Sequence, residues 1–230
     1  MNQARTQYIR SRLTDLHHHH HQSSSLMTHS QLSKLSIVDI GCGGGLASES
    51  LARSGAHVTG VDAAAENIAV ARIHAMRDPA LSGGQLTYRQ ATAEQLVGEQ
   101  KQFDAVVSLE VIEHVRDPVF FVKLLVDLAK PGAPIFISTM NRTLVSLVVD
   151  VVVPEYVLGV VPKGTHEHAK FVPPAELEQM LSAVGAQTLD VAGLVMNPLS
   201  NSCQVVPRHW GLLRDAGVQA NYILMARKRM

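Results

Sequence analysis

Short apolar segments alternate with amphipathic segments along most of the chain. Segments rich in Val, Ile and Phe with few polar breaks are typical of strands that a parallel sheet buries on both faces. The stretches between them carry apolar residues three and four positions apart, which predicts helices packed against that sheet. Strands are predicted over the ranges Ile37–Ile40, His57–Val61, Leu86–Arg89, Phe103–Leu109, Pro134–Thr139, Gln187–Leu194 and Ala220–Ala226. The pattern therefore predicts an α/β fold, a doubly wound and mostly parallel sheet with helices on both faces.

The length of the chain sets the expected number of domains. At 230 residues it has the size of one domain with a full hydrophobic core, and it shows no internal repeat. Residues 1–35 are predicted to form a short basic helix over residues 1–16, followed by a His- and Ser-rich loop. Five adjacent histidines in that loop, His17–His21, invite a metal-binding hypothesis, but a surface loop is the favoured interpretation.

A glycine-rich turn follows the first predicted strand. The segment Asp39–Gly45 reads Asp-Ile-Gly-Cys-Gly-Gly-Gly and leads into a helix, which makes an anion- or cofactor-facing corner of an α/β sheet. Glycines allow the backbone to turn tightly and let a ligand approach without Cβ atoms in the way. The second strand ends in Asp62, 21 positions after Gly41, where a ribose-binding carboxylate is expected.

Two cofactor classes fit this corner, nicotinamide dinucleotides and S-adenosylmethionine. A dinucleotide site keeps a glycine at the sixth position of its motif, so that the helix can pack closely on the strand. This chain has Leu46 at that position, and it has an acid, Asp39, two residues before the first glycine. The segment Asp39–Gly45 resembles the first motif of the class I S-adenosylmethionine-dependent methyltransferases, which makes that cofactor the favoured prediction.

Composition and charge exclude some partners. Lys+Arg and Asp+Glu are both 20, so the chain has no basic field that would favour nucleic acid. Two cysteines, Cys42 and Cys203, are too few for a disulfide framework and indicate a reducing compartment. No apolar run is long enough to predict a transmembrane helix. The first residues also resemble neither an organelle import leader nor a secretory signal.

Three side chains with metal-binding chemistry follow the fourth predicted strand. Glu110, Glu113 and His114 are spaced i, i+3 and i+4, so a helical turn would place them on one side, at the same sheet edge as the glycine turn. Two carboxylates and an imidazole suit a divalent cation such as Mg²⁺. The alternative is a polar turn in which His114 packs under a substrate.

Several motifs extend the resemblance from one end of the chain to the other. They are similar to those of the ubiquinone-biosynthesis O-methyltransferases, which methylate polyprenyl dihydroxybenzoates and 3-demethylubiquinol. The matching segments are Met1–Arg5, Tyr8–Arg10, Glu110–Val115, Ser138–Thr143, Glu155–His166, Asn197–Leu199 and Ala220–Leu224. Residues that precede this family's first helix, including a tryptophan-containing segment, are not in this chain, and the His- and Ser-rich insertion is not a family feature. A truncated start would account for the missing residues and for the lack of a leader.

The resemblance implies a Rossmann-like sheet of seven strands in one methyltransferase domain, with residues 141–172 forming a helical cap insertion over the active site. It implies that S-adenosylmethionine contacts Arg5, Gly41, Gly43, Asp62 and Leu109, and that Mg²⁺ binds Glu110, Glu113 and His114. We further expect His166 or Lys163 near the attacking oxygen, as general base or as part of a loop that covers the substrate.

The implied partners are a polyprenylated catechol substrate, a membrane surface that the apolar segment Leu144–Val161 contacts peripherally, and other quinone-biosynthesis enzymes, with no nucleic acid. The expected location is the matrix side of the mitochondrial inner membrane in a eukaryote, or the cytoplasm or its membrane in a bacterium. Two other functions stay open, a methyltransferase for another small molecule and a non-catalytic scaffold subunit. An inserted helix pair packed over the active site is the alternative for Leu144–Val161.

Overall fold

A computed structural model describes residues 1–18, 32–157, 159, 162, 164–165, 167–197, 202–209 and 215–230. Their centre is one eight-stranded sheet of order β3-β2-β1-β4-β5-β8-β6-β7. Its strands are β1 (Ser36–Ile40), β2 (His57–Asp62), β3 (Leu86–Gln90), β4 (Ala105–Leu109), β5 (Pro134–Met140), β6 (Ala186–Asn197), β7 (Ser202–Pro207) and β8 (Asn221–Lys228). Strands β1 to β5 pair in parallel, whereas β8, β6 and β7 are joined by antiparallel pairs. The predicted α/β class and mostly parallel sheet are confirmed.

The sheet has one strand more than the predicted seven. The additional strand is β7, which pairs only with β6 at the edge of the sheet. Its side chains are mostly exposed or half-buried, with only Val206 buried, because one strand neighbour and an open edge leave most of it in contact with solvent. A short strand of this kind lacks the continuous apolar run that marks the central strands, so its sequence gave little signal.

The helices connect the strands and cover both faces of the sheet. They are α1 (Asn2–His18), α2 (Leu46–Arg53), α3 (Ala65–Ala75), α4 (Ala93–Gly98), α5 (Pro118–Leu128), α6 (Leu144–Ser146), a π-helix (Leu147–Val157) that continues α6, and α7 (Pro174–Ala183). Short 3₁₀ turns lie at Pro79–Leu81, Ile112–His114, His168–Lys170 and Ala216–Val218. None of the helices in the described ranges is long and apolar enough to cross a membrane.

Two hydrophobic layers hold these helices on the sheet. On one face α4, α5 and α7 bury residues such as Leu125 and Leu177 against β4 and β5. On the other face α1 buries Ile9 and Leu13, and the Tyr8 ring meets Phe136 edge-on with 6.4 Å between the ring centroids. Burial of each large apolar side chain contributes about 1.5–3 kcal/mol. The basic N-terminal helix is thus part of the core.

The predicted cap begins directly after β5. The helical run 144–157 packs Val151 and Leu147 against Met140 and Phe171. Its Asp150 carboxylate accepts a hydrogen bond from the Asn221 amide at 2.9 Å. Within residues 141–172, the described residues form this one helical run and the short turn at His168–Lys170, so they do not show the predicted helix pair. Most of the His- and Ser-rich stretch lies outside the described residues.

Candidate functional site

The glycine turn joins the end of β1 to the start of α2, at the carboxyl end of the parallel strands. Gly41, Gly43 and Gly45 have φ values of +74°, +53° and +85°, which are left-handed conformations that other residues rarely adopt. A Cβ at Gly41 would lie 2.4 Å from Cγ2 of Val111, so a neighbouring loop also requires glycine there. A Cβ at Gly43 would meet nothing within 4 Å. The turn therefore presents open backbone at Gly43 for a ligand.

Asp62 connects the end of β2 to this turn. Its Oδ2 accepts a hydrogen bond from the Gly43 N–H at 2.9 Å. Its Oδ1 accepts from the Ala64 N–H at 2.9 Å and from the Asn67 side-chain amide at 3.2 Å. A carboxylate has about four lone-pair sites, so Asp62 can still accept a bond from the hydroxyls of a ribose. The structure thus places Asp62 where the sequence predicted a ribose-binding acid.

An open cleft of about 470 Å³ lies beside the turn. Gly41, Gly43 and Asp62 line it, together with Glu110 and His114. This volume is within the range of small-molecule and cofactor sites. The structure therefore brings three predicted cofactor residues and two predicted metal residues together around one space.

The same cleft is lined by the residues that follow β3. Ala91 and Thr92 contribute to its wall. Thr92 is also the N-cap of α4 and forms a capping box with Gln95. Thr92 therefore both caps α4 and lines the cleft. Asn67 and Val111 also line the cleft and were missed, because a lone polar residue in a helix and a valine in a turn carry no distinctive signal.

Two of the predicted cofactor residues, Arg5 and Leu109, are not among the residues that line the cleft. The Arg5 side chain is buried, and its Nη2 is 2.9 Å from Oε1 of Glu110. Its Nε is buried with no hydrogen-bond partner among the described residues. Leu109 is half-buried at the end of β4 and packs on the apolar layer beneath α1, and it is not among the residues that line the cleft.

The predicted helical turn over the metal residues does not form. Glu110 has φ +57°, and only Ile112–His114 make a short 3₁₀ turn. As a result the three side chains lie in different surroundings, Glu113 buried and His114 exposed. Glu110 accepts a hydrogen bond from the Ser138 hydroxyl at 2.8 Å in addition to its ion pair with Arg5. A non-glycine residue in this conformation costs about 1–3 kcal/mol and is often found at functional sites.

Glu113 is the most unusual acid of this group. Its Oε2 accepts a hydrogen bond from the Thr139 hydroxyl at 2.9 Å, whereas its buried Oε1 has no partner in the described part of the chain. Burial, with a smaller contribution from the negative charge of Glu110, raises the pKa of Glu113 to about 7. Glu113 and His114 also line a second, small cavity with Thr165, Glu167, Lys170 and Phe171. An unpartnered buried carboxylate oxygen is suited to hold a proton or a cation.

The chemistry of the three predicted metal residues favours a metal site, but their arrangement does not. The chemistry of two acids and one imidazole, with one orphaned oxygen, fits a divalent cation. Within the ranges that the structure describes, however, no group of three or more His, Cys, Asp or Glu side chains is placed to hold a metal ion. The predicted catalytic residues Lys163 and His166 lie outside the described residues.

Asp39 is buried beneath the glycine turn, and its protonation should affect folding. Only 2% of the residue is exposed, and burial raises the pKa of Asp39 to about 6, although the Ser48 hydroxyl, 2.6 Å from Oδ2, offsets part of that effect. The folded state therefore holds this proton to higher pH than the unfolded chain does. The stability that Asp39 contributes is present below about pH 4 and is lost as pH rises through about 6, an effect of about 3 kcal/mol.

We expect Asp39→Asn to remove this pH dependence. Urea unfolding of wild type and Asp39→Asn should be measured at pH 4.5 and at pH 7.5. Relative to wild type, the unfolding free energy of the variant should be about 2 kcal/mol higher at pH 7.5 than at pH 4.5. Ser48→Ala serves as the comparison, since loss of the hydroxyl should make the pH dependence of the native acid steeper. If the difference in unfolding free energy between wild type and Asp39→Asn were the same at both pH values, the raised pKa of Asp39 would be refuted.

Comparison with known proteins agrees with this geometry. Residues 38–137 match the family described as methyltransferase domain. The chain is 41% identical over 223 residues to the ubiquinone biosynthesis O-methyltransferase of Dinoroseobacter shibae, covering 97% of this chain and 83% of that protein. It is 42% identical over 229 residues to a protein of Arabidopsis thaliana named ubiquinone biosynthesis O-methyltransferase, mitochondrial, covering 100% of this chain and 66% of that protein.

A solved structure shows the same fold. The magnesium protoporphyrin IX methyltransferase of Synechocystis PCC 6803, determined with bound S-adenosylhomocysteine, superimposes with a TM-score of 0.64. The match covers 97% of this chain and 83% of that chain at 20% sequence identity.

The fold and the cofactor corner together define a class I methyltransferase that depends on S-adenosylmethionine. The predicted cofactor class and the predicted Rossmann-like architecture are confirmed. At the level of sequence the assignment is narrower, and the chain belongs to the ubiquinone biosynthesis O-methyltransferase family.

Proposed function

We propose that this protein transfers the methyl group of S-adenosylmethionine to one hydroxyl of a catechol that carries a polyprenyl tail, during ubiquinone synthesis. The observation that carries the proposal is the 41% identity over 97% of the chain to a relative named for that pathway. The proposed substrates are 3,4-dihydroxy-5-polyprenylbenzoate and 3-demethylubiquinol. The cleft beside Asp62 supports it, because it leads from the cofactor corner to the acidic residues that follow β4.

The reaction is an in-line displacement at carbon. A phenolate oxygen forms a bond to the methyl carbon, the carbon–sulfur bond breaks, and the sulfonium becomes the neutral thioether of S-adenosylhomocysteine. The glycine turn and Asp62 hold the nucleoside, so that the site can align oxygen, carbon and sulfur. The phenol has a pKa of about 10 and must lose its proton to attack, for which we propose His166 or Lys163 as the group near the attacking oxygen.

We further propose that Glu110, Glu113 and His114 are the side chains that hold Mg²⁺ in the working enzyme. When bound, such a cation would lower the pKa of a catechol and orient its ring. Support comes from the orphaned Oε1 of Glu113 and from the proximity of the two carboxylates. Arg5 occupies one oxygen of Glu110. The ligand set would therefore have to form by rearrangement of this turn.

A membrane surface is the proposed partner of the cap. The helical run 144–157 buries Ser146, Val151 and Glu155 on one side. Its other side exposes an unusual set of apolar residues, Leu144, Val145, Val148, Val149, Val152 and Tyr156. Exposed apolar patches of this kind mark interaction sites, and an apolar helix face can lie in the interface of a bilayer. A substrate with a polyprenyl tail resides in the bilayer, which gives such contact a function.

The membrane proposal predicts a loss of vesicle binding when charge is introduced on that face. Val148→Asp combined with Val152→Asp should reduce co-sedimentation with phospholipid vesicles by at least about tenfold. The reason is that each valine that the bilayer buries contributes about 1.5 kcal/mol or more to binding. Val70→Asp combined with Ile73→Asp is the matched control, since it changes exposed apolar residues on α3. Equal co-sedimentation of wild type and cap variant would contradict the proposal.

The proposed location follows from the same relatives. The Arabidopsis protein is named mitochondrial. For a eukaryotic chain we propose peripheral attachment to the matrix side of the inner membrane, where other enzymes of quinone synthesis would be neighbours. For a bacterial chain we propose the cytoplasmic side of the cell membrane.

The decisive test of the function is label transfer from methyl-tritiated S-adenosylmethionine. A short-chain prenylated catechol should accept label, whereas the matched monophenol, which lacks the neighbouring hydroxyl, should not. Omission of Mg²⁺ and addition of chelator should reduce the rate. Transfer to an unprenylated acceptor only would indicate a different small-molecule substrate. Cofactor binding with no transfer to any catechol would favour a scaffold role and overturn the proposal.

A further inference from the structure

The side chain of Tyr88 occupies the space directly beneath the glycine turn. Tyr88 lies on β3 opposite Gly60 of β2, and because Gly60 has no side chain the ring can lie across the neighbouring strand. A Cβ at Gly60 would be 2.6 Å from two carbons of that ring. A Cβ at Gly45, in the turn itself, would be 2.1 Å from the Tyr88 hydroxyl oxygen. Two glycines thus leave a volume that this one ring fills.

The phenol is also bonded to the backbone of the turn. Tyr88 Oη donates a hydrogen bond to the Gly45 carbonyl oxygen at 3.1 Å. The same carbonyl accepts the Glu49 N–H at 2.9 Å as the first bond of α2. Tyr88 is only 6% exposed, and burial raises the pKa of its hydroxyl further above physiological pH, so the phenol stays a donor. This bond fixes the residue at which the turn becomes a helix.

The turn has contacts on both sides. Asp62, the predicted ribose-binding acid, accepts a hydrogen bond from the Gly43 N–H on the side of the cleft. Tyr88 holds Gly45 from behind, and it is not among the residues that line the cleft. Gly41 and Cys42 donate to the Val61 carbonyl oxygen at the start of the turn. Among the hydrogen bonds that side chains of other elements donate to or accept from the backbone of the turn, the Tyr88 bond therefore comes from the side away from the cleft.

We infer that Tyr88 is a positioning residue for the cofactor, whose hydroxyl keeps the turn Gly41–Gly45 in the conformation that receives S-adenosylmethionine. The inference rests on the cofactor site and not on the proposed catechol substrate. When a loop populates its binding-competent conformation only part of the time, the apparent dissociation constant rises by the inverse of that fraction. Loss of the bond thus lowers affinity for the cofactor without changing the chemical step.

Tyr88→Phe tests this inference, because it removes one oxygen and keeps the ring that fills the space. Calorimetry with S-adenosylhomocysteine should show a dissociation constant about three- to tenfold higher than for wild type, in line with the loss of one hydrogen bond. In turnover with a prenylated catechol, KM for S-adenosylmethionine should rise by the same factor. The kcat at saturating cofactor and the KM for the catechol should stay within twofold.

Tyr8→Phe is the matched control. Tyr8 is equally buried, and its hydroxyl donates to Asp190 at 2.7 Å, remote from the glycine turn. This variant should be destabilised to a similar extent and should keep its affinity for S-adenosylhomocysteine within twofold. Equal affinity of wild type and Tyr88→Phe would overturn the inference, as would a parallel loss of kcat and of affinity for both substrates. If wild type itself bound no S-adenosylhomocysteine, the cofactor assignment would fail instead.

Discussion

Asp62→Ala is expected to weaken the binding of S-adenosylhomocysteine by about 100-fold or more. The substitution removes the carboxylate that faces the cleft and the acceptor that holds the Gly43 N–H at 2.9 Å. Hydrogen bonds to a charged group contribute about 1.5–3 kcal/mol each, and two of them correspond to at least two orders of magnitude in affinity. Calorimetric titration with S-adenosylhomocysteine measures the effect directly.

Two further variants show whether charge or fold causes the loss. Asp62→Asn keeps the shape of the side chain and should lose affinity by about tenfold. Glu66→Gln changes an exposed acid on α3 that is not among the cleft residues, and it should bind as wild type does. A dissociation constant for Asp62→Ala within threefold of wild type would show that this acid does not bind the nucleoside.

Glu113→Gln is expected to reduce kcat by about 100-fold or more, with little change in affinity for S-adenosylmethionine. Glutamine can still accept the Thr139 hydrogen bond, but it lacks the charge and cannot hold a proton or a cation at the orphaned oxygen. A loss of about 3 kcal/mol in the transition state corresponds to about 100-fold in rate. Stimulation by Mg²⁺ should disappear in the same variant, which steady-state assays with and without chelator would detect.

A measurement of thermal stability distinguishes a direct effect of Glu113→Gln on the reaction from misfolding of the variant. Because the pKa of Glu113 is raised to about 7, the folded protein is less stable when this buried acid ionises at higher pH. Glu113→Gln should therefore unfold at pH 8 at the same temperature as wild type or above it. Glu178→Gln, which changes an acid paired with Arg208 away from the cleft, should leave both kcat and Mg²⁺ dependence unchanged. An unaltered rate and cation dependence in Glu113→Gln would remove Glu113 from the site.

The parts of the fold that the sequence predicts are those with a regular pattern. The apolar runs of the central strands and the glycine turn identified the parallel half of the sheet and the place of Asp62, because burial on both faces and a left-handed backbone each demand particular residue types. Strand β7 was not predicted, since a half-exposed edge strand does not require a continuous run of apolar residues. The π-helix at Leu147–Val157 was not predicted either, because its segment is largely apolar and is broken by Pro154.

Five of the predicted site residues line one cleft, but the local geometry of the predicted metal residues was not predictable from the sequence. The spacing of Glu110, Glu113 and His114 assumed a helical turn, whereas the chain enters that segment through a left-handed Glu110. Tertiary partners decide this conformation, namely Arg5 from the N-terminal helix and Ser138 from the next strand, which no local pattern reveals. Tyr88 was missed for the same reason, because its role depends on two glycines on other elements.

The most direct measurement is a crystal structure of this protein with S-adenosylhomocysteine bound. The account predicts that both ribose hydroxyls lie within hydrogen-bond distance of the Asp62 carboxylate, that the homocysteine end lies along Gly41–Gly45, and that the sulfur faces the side of the cleft lined by Glu110 and His114. A nucleoside seated away from Asp62, or a sulfur directed away from Glu110, would contradict it.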